Sequence, residues 1–247
     1  MNDAGSVTDV GYREQDPPPR LRDLVECRWM RTGPAAPGRV LPDGCMDLIR
    51  MDDTVVVAGP DTTAFITDGS PDAVRGLRFR PGMLPRLLGV PASELRNTRV
   101  DLSELTPLPR LGSLEELALA LAAQPPRTET APWSLPMLRD VTRRLAAGES
   151  VSATARHIGW SDRTLQRQCT AIYGYGPSTL RRILRFRRAI ALIEAGVSSS
   201  AVAAQAGYAD QSHLHREARV LAGVPLRHLS SAANRSTEVP SGSSTVA

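Results

Sequence analysis

The sequence predicts an α+β protein: a small β-rich unit, then an all-α unit with two helix-turn-helix segments joined by a long helix. Three observations predict it. Through about residue 110 the chain runs in short apolar stretches broken by Asp43-Gly44, Asp68-Gly69 and Pro81-Gly82, whereas beyond Pro91 the apolar spacing becomes helical. A segment of the second half recurs at an offset of 48 residues. The charge also divides: residues 1–132 hold 15 Arg against 19 Asp and Glu, a net of −4, whereas residues 133–247 hold 15 against 7, a net of +8. A positive field confined to one half suits a polyanionic partner.

Residues 1–19 read as a disordered arm and 20–110 as a β-rich unit that senses or dimerises. Its expected strands are Val25–Met30, Met46–Met51, Thr54–Ala58 and Val74–Phe79. Residues 111–134 read as a helix and a linker. Ser113 caps the helix, Glu115 and Glu116 sit in its first turn where the helix dipole favours carboxylates, and the Pro-rich stretch Ala123 to Pro132 ends it. Residues 135–229 carry the helical repeat, and 230–247 form a Ser-rich tail expected to be disordered.

The repeat aligns Ser150-Val-Ser-Ala-Thr-Ala155-Arg-His-Ile-Gly159-Trp160 with Ser198-Ser-Ser-Ala-Val-Ala203-Ala-Gln-Ala-Gly207-Tyr208. Each copy reads as helix, tight turn, helix. Ser150 and Ser198 are N-caps, Ala155 and Ala203 allow a second helix to cross closely, and Gly159 and Gly207 supply a left-handed turn residue. The second helix of the first copy runs from Ser161 to about Ile172. It buries Leu165, Cys169 and Ile172 and turns Arg163, Gln166, Arg167 and Thr170 elsewhere. Its counterpart starts near Asp210 and buries Leu214, Ala218 and Leu221, leaving Gln211, Ser212, His215, Arg216 and Arg219 outward. Arginine matches the guanine edge of a major groove and glutamine the adenine edge. His213 serves either the turn or the duplex.

Between the copies, Pro177 to Ala195 makes one helix about 28 Å long at ~1.5 Å per residue. That nearly bridges the ~34 Å between major grooves on one face of a duplex. Arg181, Arg182, Arg185, Arg187 and Arg188 gather on its polar side, as a solvated face or a phosphate-binding one.

Composition excludes several classes. Hydrophobic residues at 41% and charged residues at 23% are globular values. No apolar run reaches the ~20 residues that span a bilayer, and Met1 to Gln15 is no basic-then-apolar leader, so the expected location is the cytoplasm without a membrane partner. All 30 basic residues are arginine, a usage that a GC-rich genome explains. Enzyme motifs are missing: no GxSxG, no Walker A loop, no HExxH and no paired Cys-x-x-Cys; neither activity nor cofactor is expected. Cys27, Cys45 and Cys169 form no disulfide framework, and the absence of histidine before His157 denies the first half a His-rich metal site. Cys27 reads as a structural thiol. Cys45 could serve alkyl transfer or redox sensing only if its thiol were acidified, which Asp43 and Asp47 oppose. Arg78 and Arg80 share a strand face, either to clamp an anionic effector or to pair with acids.

Residues 150–229 resemble the DNA-binding domain of the AraC/XylS family of bacterial transcription regulators. In the first copy the resemblance lies in Gly159-Trp-Ser161-x-Arg163-x-Leu165-Gln-Arg167 and Gly174-x-x-Pro177, and in the connecting helix in Arg185-Phe-x-x-Ala189-x-x-Leu192-Ile193. In the second copy it lies in Ala203-x-x-x-Gly207-Tyr-x-Asp210-Gln-Ser-His-Leu214-x-Arg216. The resemblance implies base-facing roles for Arg163, Gln166 and Arg167 in the first recognition helix and for Gln211, Ser212, His215 and Arg216 in the second. Cys169 and Ala218 stand where the family usually has a large aromatic, and the closing Gly-x-x-Pro shortens to Gly223-Val224-Pro225, which implies looser packing at the end of the second unit.

The first half is similar to the uncharacterised sensor-type domain that precedes this module in some family members. The carrying residues are Arg39-Val-Leu-Pro-Asp-Gly-Cys-Met-Asp47-Leu, Ala58-Gly-Pro60, Gly76-Leu-Arg-Phe-Arg-Pro-Gly82 and Leu88-Gly-Val-Pro91. This similarity implies a cupin-like fold and brings no ligand with it. Together the two resemblances imply a DNA-binding regulator, commonly an activator, whose partners are double-stranded DNA, RNA polymerase, a small-molecule effector and a second copy of the chain. The competing expectation is the thiol-based protein using Cys45.

Overall fold

The computed structural model describes residues 11–33, 37–68, 72–107, 112–126 and 130–233. The tail beyond residue 233 and the first ten residues of the expected arm lie outside these. The β-rich half is a six-stranded antiparallel sheet with the order β1-β2-β7-β4-β5-β8, beside a two-stranded ribbon, β3-β6. The strands are β1 (Gly11–Gln15), β2 (Val25–Thr32), β3 (Arg39–Val40), β4 (Met46–Met51), β5 (Thr54–Ala58), β6 (Phe65–Ile66), β7 (Ala73–Phe79) and β8 (Arg99–Asp101). The four expected strands are present, two of them with identical bounds. The sheet therefore follows from β-branched and apolar runs closed by tight turns. Asp52 and Asp53 make a two-residue turn between β4 and β5, with Asp52 at φ 52, a conformation aspartate tolerates.

Strand β1 corrects the expectation of a disordered arm. Its residues alternate, and Tyr12 and Glu14 point to the face that holds Trp29 and Arg78. The Tyr12 ring lies 5.9 Å from that of Trp29, and Arg78 donates to Glu14 at 2.9 Å. Neither partner is a neighbour in sequence, so the apolar count of the segment could not reveal the strand. Trp29 in turn needs Gly76 opposite: a Cβ there would come within 2.3 Å of the indole.

Helices α1 (Met83–Leu88) and α2 (Leu102–Leu105) follow the sheet, and α3 (Leu114–Ala122) opens on the expected Ser113 cap. Ser113 Oγ accepts from the Glu116 amide and the Glu116 carboxylate accepts from the Ser113 amide, a closed capping box. The helical half comprises α4 (Leu135–Ala146), α5 (Val151–His157), α6 (Asp162–Tyr173), α7 (Pro177–Glu194), α8 (Ser199–Ala206), α9 (Gln211–Ala222) and α10 (Leu226–Ala233). Helix α10 carries the fold four residues into the stretch expected as a disordered tail, and its Leu226 and Leu229 are buried where it meets α7 and α9.

The two halves share one apolar core. Buried Trp133 stands 5.6 Å from Trp160 and 6.1 Å from Tyr173, and its carbonyl accepts from Arg86 of α1. Glu26 of β2 is ion-paired with Arg187 of α7, and Asp23 with Arg139 of α4 at 2.7 Å.

Candidate nucleic-acid interface

The duplicated turn is kept at the level of individual hydrogen bonds. In the first unit, α5 to α6, the Trp160 amide donates to the Ala155 carbonyl at 2.9 Å and the Gly159 amide to Arg156 at 3.1 Å. In the second, α8 to α9, Tyr208 donates to Ala203 at 2.8 Å and Gly207 to Ala204 at 3.3 Å. Gly159 and Gly207 have φ of 73° and 80°, the left-handed conformation that lets such a helix end fold back. Ala155 and Ala203 are buried under the crossing, where a larger side chain would separate the helices.

Capping fixes where each recognition helix begins. Ser161 Oγ accepts from the Thr164 amide at 3.2 Å, and Asp210 Oδ1 from the His213 amide at 2.6 Å. Ser150 caps α5 in the same way, whereas Ser198 heads α8 without a side-chain cap bond. The expected stripes, Leu165, Cys169 and Ile172 on α6 and Leu214, Ala218 and Leu221 on α9, are all buried. Burial of one stripe turns the other face outward. Arg163, Gln166 and Arg167 on α6 and Gln211, Ser212 and Arg216 on α9 are exposed, and His215 is half-buried.

Two of these side chains have neighbours of their own. The Gln166 amide lies over Gly176, so close that a Cβ there would sit 2.2 Å from Nε2. Gln166 thus faces the entry to α7. His215 Nε2 lies 3.4 Å from Gln211 Nε2. His213 serves the turn: its ring stands edge-on to Tyr208 at 5.2 Å and its Nδ1 accepts from the Ala209 amide at 3.5 Å.

The arginines of α7 do not form a free basic face. Arg182 and Arg185 converge on Glu217 of α9 at 2.9 and 3.0 Å, and Arg185 stacks on the Tyr208 ring at 4.5 Å. Arg187 is held by Glu26, and Arg181 donates to the Glu149 carbonyl at 3.4 Å. Arg188 is exposed, and the other four are half-buried. Each carboxylate sits on another element, so the periodicity of α7 alone could not separate these roles.

Residues from the β-rich half reach the C-terminal ends of both recognition helices, a feature the sequence analysis missed. The Ala92 amide donates to the Ala171 carbonyl at 2.7 Å and Arg96 Nη1 to Gly174 at 3.4 Å, at the end of α6. At the end of α9, the Ala64 amide donates to Leu221 at 2.7 Å and Arg39 Nη1 to Ala222 at 2.6 Å. These carbonyls have no partner within the helix, and a guanidinium there also meets the negative end of the helix dipole. The end of the second unit, expected to be loose, is therefore tied down, and Leu221 and Ala222 are buried.

The first half offers no reactive thiol. Burial first, then Asp43 and Glu26, push the Cys45 thiol well up, and Cys45 donates to Glu26 at 3.3 Å. Burial raises Cys27 to about 12. Arg78, only 2% exposed, is ringed by Glu14 at 2.9 Å, Asp43 at 3.4 Å and Asp47 at 3.8 Å, so it pairs with acids rather than clamping an effector. Arg80 is exposed and donates to the Arg22 carbonyl at 3.1 Å. Among the described residues no group of three or more potential ligands is placed to hold a metal, and no helix is long and apolar enough to cross a membrane.

Residues 154–232 match the model of a helix-turn-helix domain, and residues 13–101 match that of a domain of unknown function, DUF6597. No curated protein matches the chain. Among solved structures the chain is similar to ToxT from Vibrio cholerae, with 11% identity, a TM-score of 0.42 and coverage of 89% of this chain and 98% of that one. It is also similar to ToxT from Vibrio cholerae O395 bound to (E)-4-(8-methylnaphthalen-1-yl)but-3-enoic acid, with 10% identity, a TM-score of 0.40 and coverage of 90% and 99%. With two bonded copies of one turn and a matched model, residues 154–232 are a helix-turn-helix domain set behind a domain of unknown function, the make-up of a DNA-binding transcription regulator.

Proposed function

We propose that the chain binds a specific duplex site by inserting α6 and α9 into adjacent major grooves and from there activates transcription. The observation that carries this reading is the pair of capped helices presenting Arg163, Arg167 and Arg216 outward on a scaffold that repeats the same turn. Arg167 and Arg216 are the leading base readers, each able to make a bidentate contact with guanine, and Arg163, Gln166, Gln211, Ser212 and His215 sit beside them. Capped helix N-termini and flanking arginines hold phosphates and set the register. RNA polymerase, a small-molecule effector and a second copy of the chain complete the partner set, and the cytoplasm is its location.

Genome-wide mapping of bound DNA, followed by footprinting on the recovered site, tests the reading. The expected footprint covers two major grooves about 10 base pairs apart on one face, with affinity falling steeply as salt rises. Binding that is indifferent to salt, or a footprint over one groove alone, overturns the two-groove arrangement.

A further inference from the structure

The two halves meet around an open cleft of about 1090 Å³, with the ends of β2 and β7 on one side and α4 and α7 on the other. Three of the six arginines that line it are settled: Arg187 by Glu26, Arg139 by Asp23 and Arg143 by Asp140. The other three, Arg22, Arg80 and Arg188, are exposed and have no carboxylate partner among the described residues. Arg22 stands just before β2 and Arg80 just after β7, joined by the bond from Arg80 Nε to the Arg22 carbonyl at 3.1 Å, and Arg188 belongs to α7. Of the three carboxylates lining the cleft, Glu14 and Glu26 are held by Arg78 and Arg187, which leaves Asp16. Three guanidiniums against one carboxylate leave an excess of two positive charges. Met83, Leu138, Leu184 and Leu192 give the cleft an aliphatic side, and no aromatic ring lines it.

We propose that the cleft binds an aliphatic chain carrying a head of two or more negative charges, a phosphate or diphosphate ester. Guanidinium forks pair phosphate oxygens through two parallel hydrogen bonds, so neighbouring Arg22 and Arg80 take the head from the sheet side and Arg188 from α7. A single carboxylate cancels only half of the excess charge, and a free phosphate leaves the aliphatic side in water. The volume lies at the upper end of the ~300–1,000 Å³ typical of small-molecule sites, which favour the junction of two domains. A head held from both sides ties α7 to the sheet domain, and α7 carries a helix-turn-helix unit at each end. Regulation of duplex binding by this ligand rests on the function proposed above; the site itself does not.

The test is calorimetric titration of the full chain with geranyl diphosphate, with geranic acid and with pyrophosphate, which separate the charge of the head from the aliphatic chain. Geranyl diphosphate is expected to fill one site, about tenfold or more tightly than either of the others. Arg22→Gln and Arg188→Gln, both at exposed positions, each weaken it about tenfold, the worth of one charge-assisted contact. Arg28→Gln, exposed on the sheet and outside the cleft, leaves it unchanged. Equal affinity for geranic acid overturns the multiply charged head, and equal affinity for pyrophosphate overturns the aliphatic side. No binding, or the same loss in Arg28→Gln, overturns the site. Duplex titration with and without geranyl diphosphate keeps the two proposals apart. A changed duplex affinity supports the regulatory link, and an unchanged one with the site filled overturns that link alone. A chain that takes geranyl diphosphate and no duplex strikes the function proposed above and leaves the site standing.

Discussion

At the scale of single side chains, the proposed reading of the duplex and the response of the sheet to pH can each be tested. Arg167 is exposed in the middle of α6 with its backbone fixed by the Ser161 cap. Arg167→Ala is expected to weaken binding to the cognate site by about 1–3 kcal/mol and to relax preference at one base pair, as a titration over substituted sites would read. Asp47 shows the opposite kind of residue. Burial lifts its carboxyl to about 6, against the pull of Arg78 and a hydrogen bond from Trp29 at 2.7 Å. Because the folded value lies above the unfolded one, the native state holds more protons between about pH 4 and 6, and this group's contribution to stability falls as pH rises through that window. Asp47→Asn removes the slope. The melting midpoint of the native chain relative to this variant should drop from pH 4 to pH 6 and stay level above.

At the scale of elements, α9 depends on α7. Glu217 is the buried point where Arg182 and Arg185 meet, and Arg185 also covers Tyr208 at the second turn. Glu217→Gln keeps the shape and loses the charge. Arg182 is 38% exposed and partly screened, so the expected cost is only about 1–2 kcal/mol, seen as a lower urea midpoint. A loss of duplex affinity confined to the α9 half of the site should accompany it, because α6 has no part in this pairing.

For the molecule as a whole, the β-rich half supplies donors to the ends of both recognition helices. Arg39 and Ala64 hold α9, and Arg96 and Ala92 hold α6. In the reading proposed above, these ties, rather than the connecting helix alone, set the separation of the two helices on the duplex. Arg39→Ala is expected to lower affinity for the two-groove site severalfold. It should also make binding more tolerant of one inserted base pair between the grooves, as gel shifts over a spacer series would show. Unchanged spacer tolerance would assign the separation to α7 alone.

Periodicity and turn chemistry by themselves determined the α+β division, four of the strands, the long helix and both helix-turn-helix units, because each depends on residues close in sequence: a Ser or Asp cap, an Ala-x-x-x-Gly turn, an apolar stripe. The outward faces of α6 and α9 followed for the same reason, since burying one side of a helix turns the other out. What depended on distant partners was left to the tertiary structure. Strand β1 exists because Tyr12 and Glu14 meet Trp29 and Arg78, and the arginines of α7 parted when Glu26 and Glu217 claimed three of them. The cleft between the halves appeared only with the packing of α4 and α7 beside the ends of β2 and β7, which brings Arg22, Arg80 and Arg188 to one cavity from distant parts of the chain.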